Sequence, residues 1–403
     1  MKNIAILGLG VVGKGTADLL EQNRELIEKR VGEAVNIKYI LDLRDFPDSP
    51  FGHLVTHDFK DILNDPEVTL VAEMMGGSHP AYDFTKACLE AGKSVVTSNK
   101  EVVANFGTEL LAVAKENGVS YLFEASVGGG IPIIRPLRED LASNNVTAIS
   151  GILNGTTNYI LTKMDAEGAS FADVLKDAQR LGYAEANPAA DVEGLDAARK
   201  IVILAAMSFG KRLDPNAIHC EGITRISTED IELAREMGYA IKLIGHTTRV
   251  DGKILAMVSP RLVPTSNPLS GINDVFNGIL VDANMVGKVM FYGPGAGKLP
   301  TASAVVADMI DIMEHTAAGI KSPIWTDADG DMIADFNAYT CESLVILDAP
   351  AAAADALAAA LSGSVAKAQD GRVAIVTASM SEADVTASIA ATGHTCVNRI
   401  RLL

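Results

Sequence analysis

Apolar residues recur along this chain with two spacings. In the first third, short and almost continuous apolar runs alternate with segments whose apolar positions return every three or four residues, the patterns of buried strands and amphipathic helices. Residues 3–7 (Asn-Ile-Ala-Ile-Leu) predict a buried strand, followed by a glycine-rich turn and a helix through about Leu26. Ile37–Leu41 and Val68–Met74 predict further strands, Pro80–Glu90 a helix, and Ser94–Thr97 and Val119–Phe123 two more strands. Strands alternating with helices predict a parallel sheet covered on both faces.

From about residue 132 the pattern changes. Ser143–Leu153, Ala240–His246, Ala256–Val263 and Lys288–Tyr292 predict strands, and residues 170–181, 195–209 and 300–318 predict helices. The stretch 325–337, with Trp325, several Asp and Gly330, suggests a polar linker. Beyond it Cys341–Leu347, Arg372–Thr377 and Cys396–Leu402 predict strands, with helices at Ala351–Leu361 and Glu382–Ala391, a βαβαβ tail too small for a core of its own. The expected division is a nucleotide-binding domain over 1–131, a central α+β domain over 132–325, whose 300–320 helix would pack back on the first, and a small α+β domain over 338–403.

Composition narrows the function classes. Lys plus Arg number 34 and Asp plus Glu 51, a net charge of −17 that argues against binding phosphate backbones or an anionic membrane surface. No apolar run approaches the roughly 20 residues needed to span a bilayer. The N-terminus runs straight into a strand that carries a motif, so no signal peptide is expected. Cys88, Cys220, Cys341 and Cys396 are scattered, with no Cys-x-x-Cys, and no His-Glu-x-x-His occurs, so neither a zinc site nor a disulfide framework is expected and a reducing cytoplasm suits the chain.

Gly8-x-Gly10-x-x-Gly13 follows the first strand and opens a helix, the context in which such glycines cradle a dinucleotide. Gly8 permits the tight turn, Gly10 lets the backbone approach the pyrophosphate, Gly13 allows close helix–strand packing, and the amides at Val11 and Val12 open the helix whose positive end faces the phosphates. A Rossmann-type nucleotide domain follows. The second strand ends in Leu41-Asp42-Leu43-Arg44-Asp45. A carboxylate there favours a ribose 2′-hydroxyl and NAD, whereas Arg44 favours a 2′-phosphate; NADP is preferred and NAD is the alternative.

The segment from Gly182 to Lys200 contains Gly-Tyr-Ala-Glu-Ala-Asn-Pro and then Asp191-Val-Glu-Gly-Leu-Asp196-Ala-Ala-Arg-Lys200. With a helix starting near Gly194, Asp196 and Lys200 lie one turn apart on one face. By spacing alone they form an ordinary surface ion pair with Asp191 as a cap. The whole segment, however, resembles the signature of homoserine dehydrogenases: glycine–aromatic–small, Asn/Asp-Pro, then Asp-apolar-x-Gly-x-Asp-x-x-x-Lys. Ser98-Asn99-Lys100, Glu124-Ala-Ser-Val127-Gly-Gly129-Gly-Ile131-Pro, Asn154-Gly-Thr156-Thr-Asn and Gly293-Pro-Gly-Ala-Gly297 are similar to further family motifs, so the resemblance extends over nearly the whole chain. The tail resembles a degenerate ACT domain whose usual Asp-x-Pro-Gly turn is Asp348-Ala-Pro-Ala351 here.

The resemblance implies NAD(P)-dependent interconversion of L-aspartate 4-semialdehyde and L-homoserine, in threonine, methionine and isoleucine biosynthesis. Hydride would move to or from the nicotinamide while Lys200 acts as acid/base, aided by Lys100 and oriented by Asp196. A lysine, with an ordinary pKa of ~10.4, suits the acid role. Glu185, Asp191, Gly182, Asn154 and Thr156 would bind substrate; Lys100 and the Gly297 turn would join Gly8, Gly10, Val11, Val12, Gly13 and Arg44 at the cofactor. Glu124 with the carbonyls of Val127, Gly129 and Ile131 would hold a structural sodium ion, hard donors for a hard cation. A homodimer or homotetramer is implied. Two alternatives stay open: a non-catalytic NAD(P)-sensing regulator, and a dehydrogenase for another small amino-acid aldehyde.

Overall fold

The computed structural model describes residues 1–315 and 322–403. The chain gathers into two compact units, one of Met1–Asn145, Val202–Pro215 and Phe291–Asp327, the other of Val146–Ile201, Asn216–Met290 and Ala328–Leu403.

The first unit is built on six strands, β1 (Lys2–Leu7), β2 (Val35–Leu41), β3 (Val55–Thr56), β4 (Val68–Glu73), β5 (Ser94–Thr97) and β6 (Tyr121–Leu122). They lie in the order β3-β2-β1-β4-β5-β6, every neighbouring pair parallel. The order reverses between β1 and β4, and at such a switch point a crevice opens beyond the strands' C-terminal ends. Ile4, Ala5, Ile6 and Leu7 of β1 are buried in succession, as a strand covered on both faces requires. Helices α1 (Val11–Gln22), α2 (Arg24–Val31), α3 (Phe59–Leu63), α4 (Ala81–Glu90) and α5 (Lys100–Glu116) connect the strands. The helix Lys298–Glu314 returns from far along the chain and places Val305, Met309 and Met313 in the same core as Ile4, Ile6 and Leu20. Burying each such side chain contributes roughly 1.5–3 kcal/mol. The end of the helix expected at 300–318 lies, from residue 316, outside the described residues.

Three expectations need correction. The helix after the glycine turn stops at Gln22, because Asn23 leaves helical geometry (φ −106, ψ 20) and α2 starts afresh. The strand expected at Val119–Phe123 shrinks to two residues as the chain turns at Phe123 into a short 3-10 segment. The stretch 325–337 is no free linker. Trp325 is buried, its ring centroid 5.3 Å from that of Phe123, and Gly107 leaves the room it fills. Thr326–Asp327 pairs with Lys211–Arg212, and 3-10 turns occupy Gly330–Met332 and Phe336–Ala338. Polar neighbours hid an indole whose area is too large to leave in water.

The second unit carries a long mixed sheet. Its strands run in the order Gly287–Pro294, Phe276–Ala283, β7 (Val146–Ile152), Tyr239–Val250, Lys253–Pro264, Thr395–Leu402, Ser343–Asp348, Arg372–Thr377 and Gly363–Gln369, with His219–Cys220 beside Lys253–Pro264. The tail therefore contributes four strands to this sheet, and its Thr340–Cys341 and Met380–Ser381 pair separately. The βαβαβ reading lacked Gly363–Gln369, which is mostly exposed and so shows no apolar alternation. The Ala-rich helix is Ala354–Ala360, preceded by a 3-10 turn. The tail sheet joins the body sheet directly: Arg401 and Leu402 pair in parallel with Arg261 and Leu262. Among the described residues no helix is long and apolar enough to cross a membrane.

Candidate active site

Two sites take shape, one in each unit. In the first, Gly8 follows β1 with φ +93, a conformation that side chains resist. A Cβ on Gly13 would lie 1.9 Å from the Gly8 carbonyl oxygen, so only glycine lets the start of α1 pack against the turn. A Cβ on Gly10 would meet nothing within 4 Å, leaving its backbone open to an approaching phosphate. Val11 opens α1 and is exposed; Val12 is half-buried. The Gly297 turn belongs to the same region, since it caps the helix Lys298–Glu314, which crosses α1 where Gly15 gives room for Lys298. Lys298 also reaches Asp18 at 2.5 Å.

Beyond β2, Asp42 and Arg44 form a closed unit. Asp42 Oδ1 accepts from Arg44 Nε and the Arg44 amide, each at 3.0 Å; Oδ2 accepts from Arg44 Nη2 at 3.1 Å and the Leu9 amide at 2.9 Å. Burial opposes ionisation of Asp42, but these donors outweigh it and hold the carboxyl down at about 2. Asp42, Leu43 and Arg44 share a cavity of about 440 Å³ with Gly8, Gly10 and His57. His57 donates toward the Asp42 carbonyl at 2.7 Å and Asp45 at 3.1 Å, which raises its pKa. Sequence reasoning passed over His57, because nothing local ties it to β2. It also missed Glu73, which is fully buried at the end of β4, accepts from Thr97 Oγ1 and the Met75 amide, and has its pKa raised by burial. A carboxylate closing an apolar strand was the available signal.

Lys100 is the first residue of α5 and is half-buried. Asn99 caps that helix, its Oδ1 accepting from the Glu101 and Val102 amides while its Nδ2 donates to the Gly77 carbonyl at 2.7 Å. Glu124 is buried and spends its carboxylate on three amides, Ile133 and Ile134 at Oε1 and Arg135 at Oε2, at 2.6–2.8 Å. It thereby fixes the start of α6 (Ile134–Arg138). Its own amide donates to Asp308, whose carboxyl is pushed up to about 7 by burial and by the charge of Glu124. Val127 and Ile131 are buried around the Gly129 turn, which has φ +57. His79, after Gly76-Gly77-Ser78, is exposed and pairs with Asp83 at 2.7 Å.

The second site grows from β7. That strand ends at Ile152, and Asn154 caps α7 (Gly155–Glu167), its Oδ1 accepting from the Thr157 amide at 2.8 Å. After α8 (Phe171–Arg180) and the short α9 (Ala189–Val192), Gly194 turns the chain with φ +84 into α10 (Leu195–Phe209). A side chain on Gly194 would press on Cys220 and Val258 at 3.1 Å. Gly245 opens space on the sheet for Leu153 and Ile201, which brings α10 down onto β7's end. Lys200 is thus buried, and its Nζ donates to Asp196 Oδ2 at 2.8 Å and to the Leu153 carbonyl at 2.7 Å. Asn154 Nδ2 donates to Asp196 Oδ2 at 2.9 Å and to Asp191 Oδ1 at 2.7 Å.

Four of the expected residues, Asn154, Asp191, Asp196 and Lys200, therefore form one hydrogen-bonded cluster. Thr156 lies beside it, half-buried, and donates to the Tyr183 carbonyl at 2.7 Å. Gly182 follows α8 with φ +78. Glu185 is exposed and tied down through its backbone carbonyl, which accepts from Gln179 Nε2 at 3.1 Å; its side chain is not part of the cluster.

A glycine-cradled dinucleotide crevice in one unit and a buried lysine held by a carboxylate in the other define a nicotinamide-dependent oxidoreductase. Family models agree: residues 8–124 match "Homoserine dehydrogenase, NAD binding domain" and residues 132–310 match "Homoserine dehydrogenase". The homoserine dehydrogenase of Bacillus subtilis is 44% identical over 324 residues, covering 79% of this chain and 74% of the relative. That of Neisseria gonorrhoeae is 45% identical over 313 residues, covering 77% and 72%. The crystal structure of a homoserine dehydrogenase from Thiobacillus denitrificans superposes with a TM-score of 0.92 at 37% identity, covering 100% of this chain and 98% of that one. A mutant of a hyperthermophilic archaeal homoserine dehydrogenase in complex with NADPH matches at TM-score 0.68 and 30% identity, covering 80% and 100%. The chain belongs to the homoserine dehydrogenase family.

Proposed function

We propose that this chain interconverts L-aspartate 4-semialdehyde and L-homoserine, with Lys200 as the acid/base. The observation that carries the reading is the Lys200 ammonium, buried and aimed by two fixed acceptors. The bound dinucleotide supplies or accepts the hydride. As hydride reaches the aldehyde carbon, negative charge builds on the oxygen, and Lys200 donates a proton to it; oxidation of homoserine runs the same transfer backwards. Asp196 and the Leu153 carbonyl occupy two of the ammonium's three donors and direct the third toward substrate. Asp191 and Glu185 are acceptors suited to the substrate ammonium, with Gly182, Asn154 and Thr156 shaping the same end. Lys100, at the start of α5 just beyond β5, acts as the second cation. A sensor without turnover would have no use for a lysine buried at such cost.

The Gly8–Gly13 turn with Val11 and Val12, the Gly297 turn, Lys100 and Arg44 hold the dinucleotide. We read the cofactor as NADP, with NAD the alternative, because Arg44 and the Leu9 amide together take up the acceptor capacity of Asp42 that a ribose 2′-hydroxyl would need. A sodium ion suits the carbonyls of Val127, Gly129 and Ile131 as hard donors, and a cation there would relieve the repulsion between buried Glu124 and Asp308. Glu124, already bonded to three amides, contributes chiefly its charge. The family-model boundaries at 124 and 132 support a domain division near 131. The four strands that the tail adds to the long sheet support an ACT-like domain over 338–403. A homodimer or homotetramer in the cytoplasm completes the reading.

The test is absorbance at 340 nm with homoserine and either dinucleotide. Lys200→Ala should lower kcat at least ~100-fold, the scale of one general acid/base. Near-normal turnover by that variant removes Lys200 from its role, and no turnover by the wild type at high enzyme concentration restores the sensor.

A further inference from the structure

We infer that Asn154 is a positioning residue that holds two carboxylates, Asp191 and Asp196, at a fixed spacing around Lys200. Its side chain has no hydrogen-bond donor to spare for a substrate. Both amide hydrogens are committed, one to Asp191 Oδ1 at 2.7 Å and one to Asp196 Oδ2 at 2.9 Å. Its Oδ1 accepts from the Thr157 amide at 2.8 Å and from Thr157 Oγ1 at 3.1 Å. The same Asp196 oxygen also receives Lys200 Nζ at 2.8 Å.

Two carboxylates gripped by one NH2 group sit within about 5 Å of each other, where like charges repel strongly unless donors lie between them. Asn154 is that donor. It comes from the end of β7, whereas Asp191 and Asp196 come from α9 and α10, so it ties three separate elements together. The consequence is a division of labour: Asp196 stays turned toward Lys200, and Asp191 stays held at the other amide hydrogen of Asn154. Without the amide, Asp191 and Asp196 would move apart, and the ammonium would follow Asp196. The inference rests on Lys200 being the acid/base.

Helix capping and carboxylate bracing separate by substitution. Asn154→Ser and Asn154→Asp both retain an oxygen that can cap α7, and neither has an NH2 group. Both should fold, with a thermal midpoint within a few degrees of wild type. Asn154→Ser should lower kcat for homoserine oxidation about 10- to 100-fold, with a smaller change in KM. Asn154→Asp puts a third negative charge into the cluster, which favours the protonated form of a neighbouring base, so its kcat–pH profile should shift to higher pH by comparison with Asn154→Ser. Wild-type kcat and pH profile in both variants would overturn the inference, leaving Asn154 a helix cap. If Lys200→Ala is also fully active, the reading it rests on fails first; if Lys200→Ala is inactive and Asn154→Ser normal, only the bracing role falls.

Discussion

Under the proposed reading, Arg44 sets the cofactor preference. Its guanidinium and amide occupy both oxygens of Asp42, whose carboxyl is held at about 2. Under the proposed NADP reading the pair opens and Arg44 swings to a 2′-phosphate, where charge-assisted hydrogen bonds are worth ~1.5–3 kcal/mol. Arg44→Ala should therefore raise KM for NADP about tenfold or more. It should leave KM for NAD unchanged or lower, since Asp42 is then free to accept from a ribose hydroxyl. Initial-rate kinetics with both dinucleotides decide this, and an equal rise in both values would show that Arg44 does not discriminate. The i,i+4 relation of Asp196 and Lys200 was legible in the sequence because both lie on one helix. The Asp42–Arg44 closure was not, because two residues of turn geometry decide which of Asp42 and Asp45 faces the arginine.

At the scale of elements, the helix Lys298–Glu314 carries the buried Asp308 against Glu124 and Arg135, with Arg135 Nη2 3.1 Å from Asp308 Oδ1. Burial and the neighbouring carboxylate raise the Asp308 carboxyl from an ordinary 3.8 to about 7. In the unfolded chain this group releases its proton near 3.8, while the folded chain keeps it until about 7. Between those values the folded state binds more protons, so this group's contribution to stability is full below the lower value and is lost as pH rises through the upper one. Asp308→Asn should flatten the fall in urea midpoint between about pH 4 and 7. An unchanged slope in the variant would place that pH dependence elsewhere. The expected helix at 300–318 was legible from its apolar period, but its partner was not, since Glu124 and Asp308 are 184 residues apart.

Across the whole chain, a buried arginine in the tail ties it to the body of its unit through the half-buried Glu221. Arg401, on the last strand, donates to both oxygens of Glu382 at 2.7 and 2.9 Å and to Glu221 at 2.9 Å, all but enclosed. Arg399 adds a second cation 3.0 Å from Glu382. Removing one partner of such a group strands a buried carboxylate, at a cost of roughly 3–5 kcal/mol. Arg401→Ala should lower the unfolding free energy by about that amount in urea titrations at neutral pH. A loss below about 1 kcal/mol would mean that solvent or Arg399 replaces it fully.

Local spacing by itself determined the alternating strands and helices of the first unit, the Gly8–Gly13 turn and the one-turn separation of Asp196 from Lys200. Those features depend on backbone geometry over a few residues, which composition and period encode directly. Only the tertiary structure decided that Trp325 belongs to a core, that Gly363–Gln369 is a strand, and that Asn154 grips two carboxylates 37 and 42 residues away. Such pairings depend on how packed elements bring distant side chains together, and no period along the chain records them.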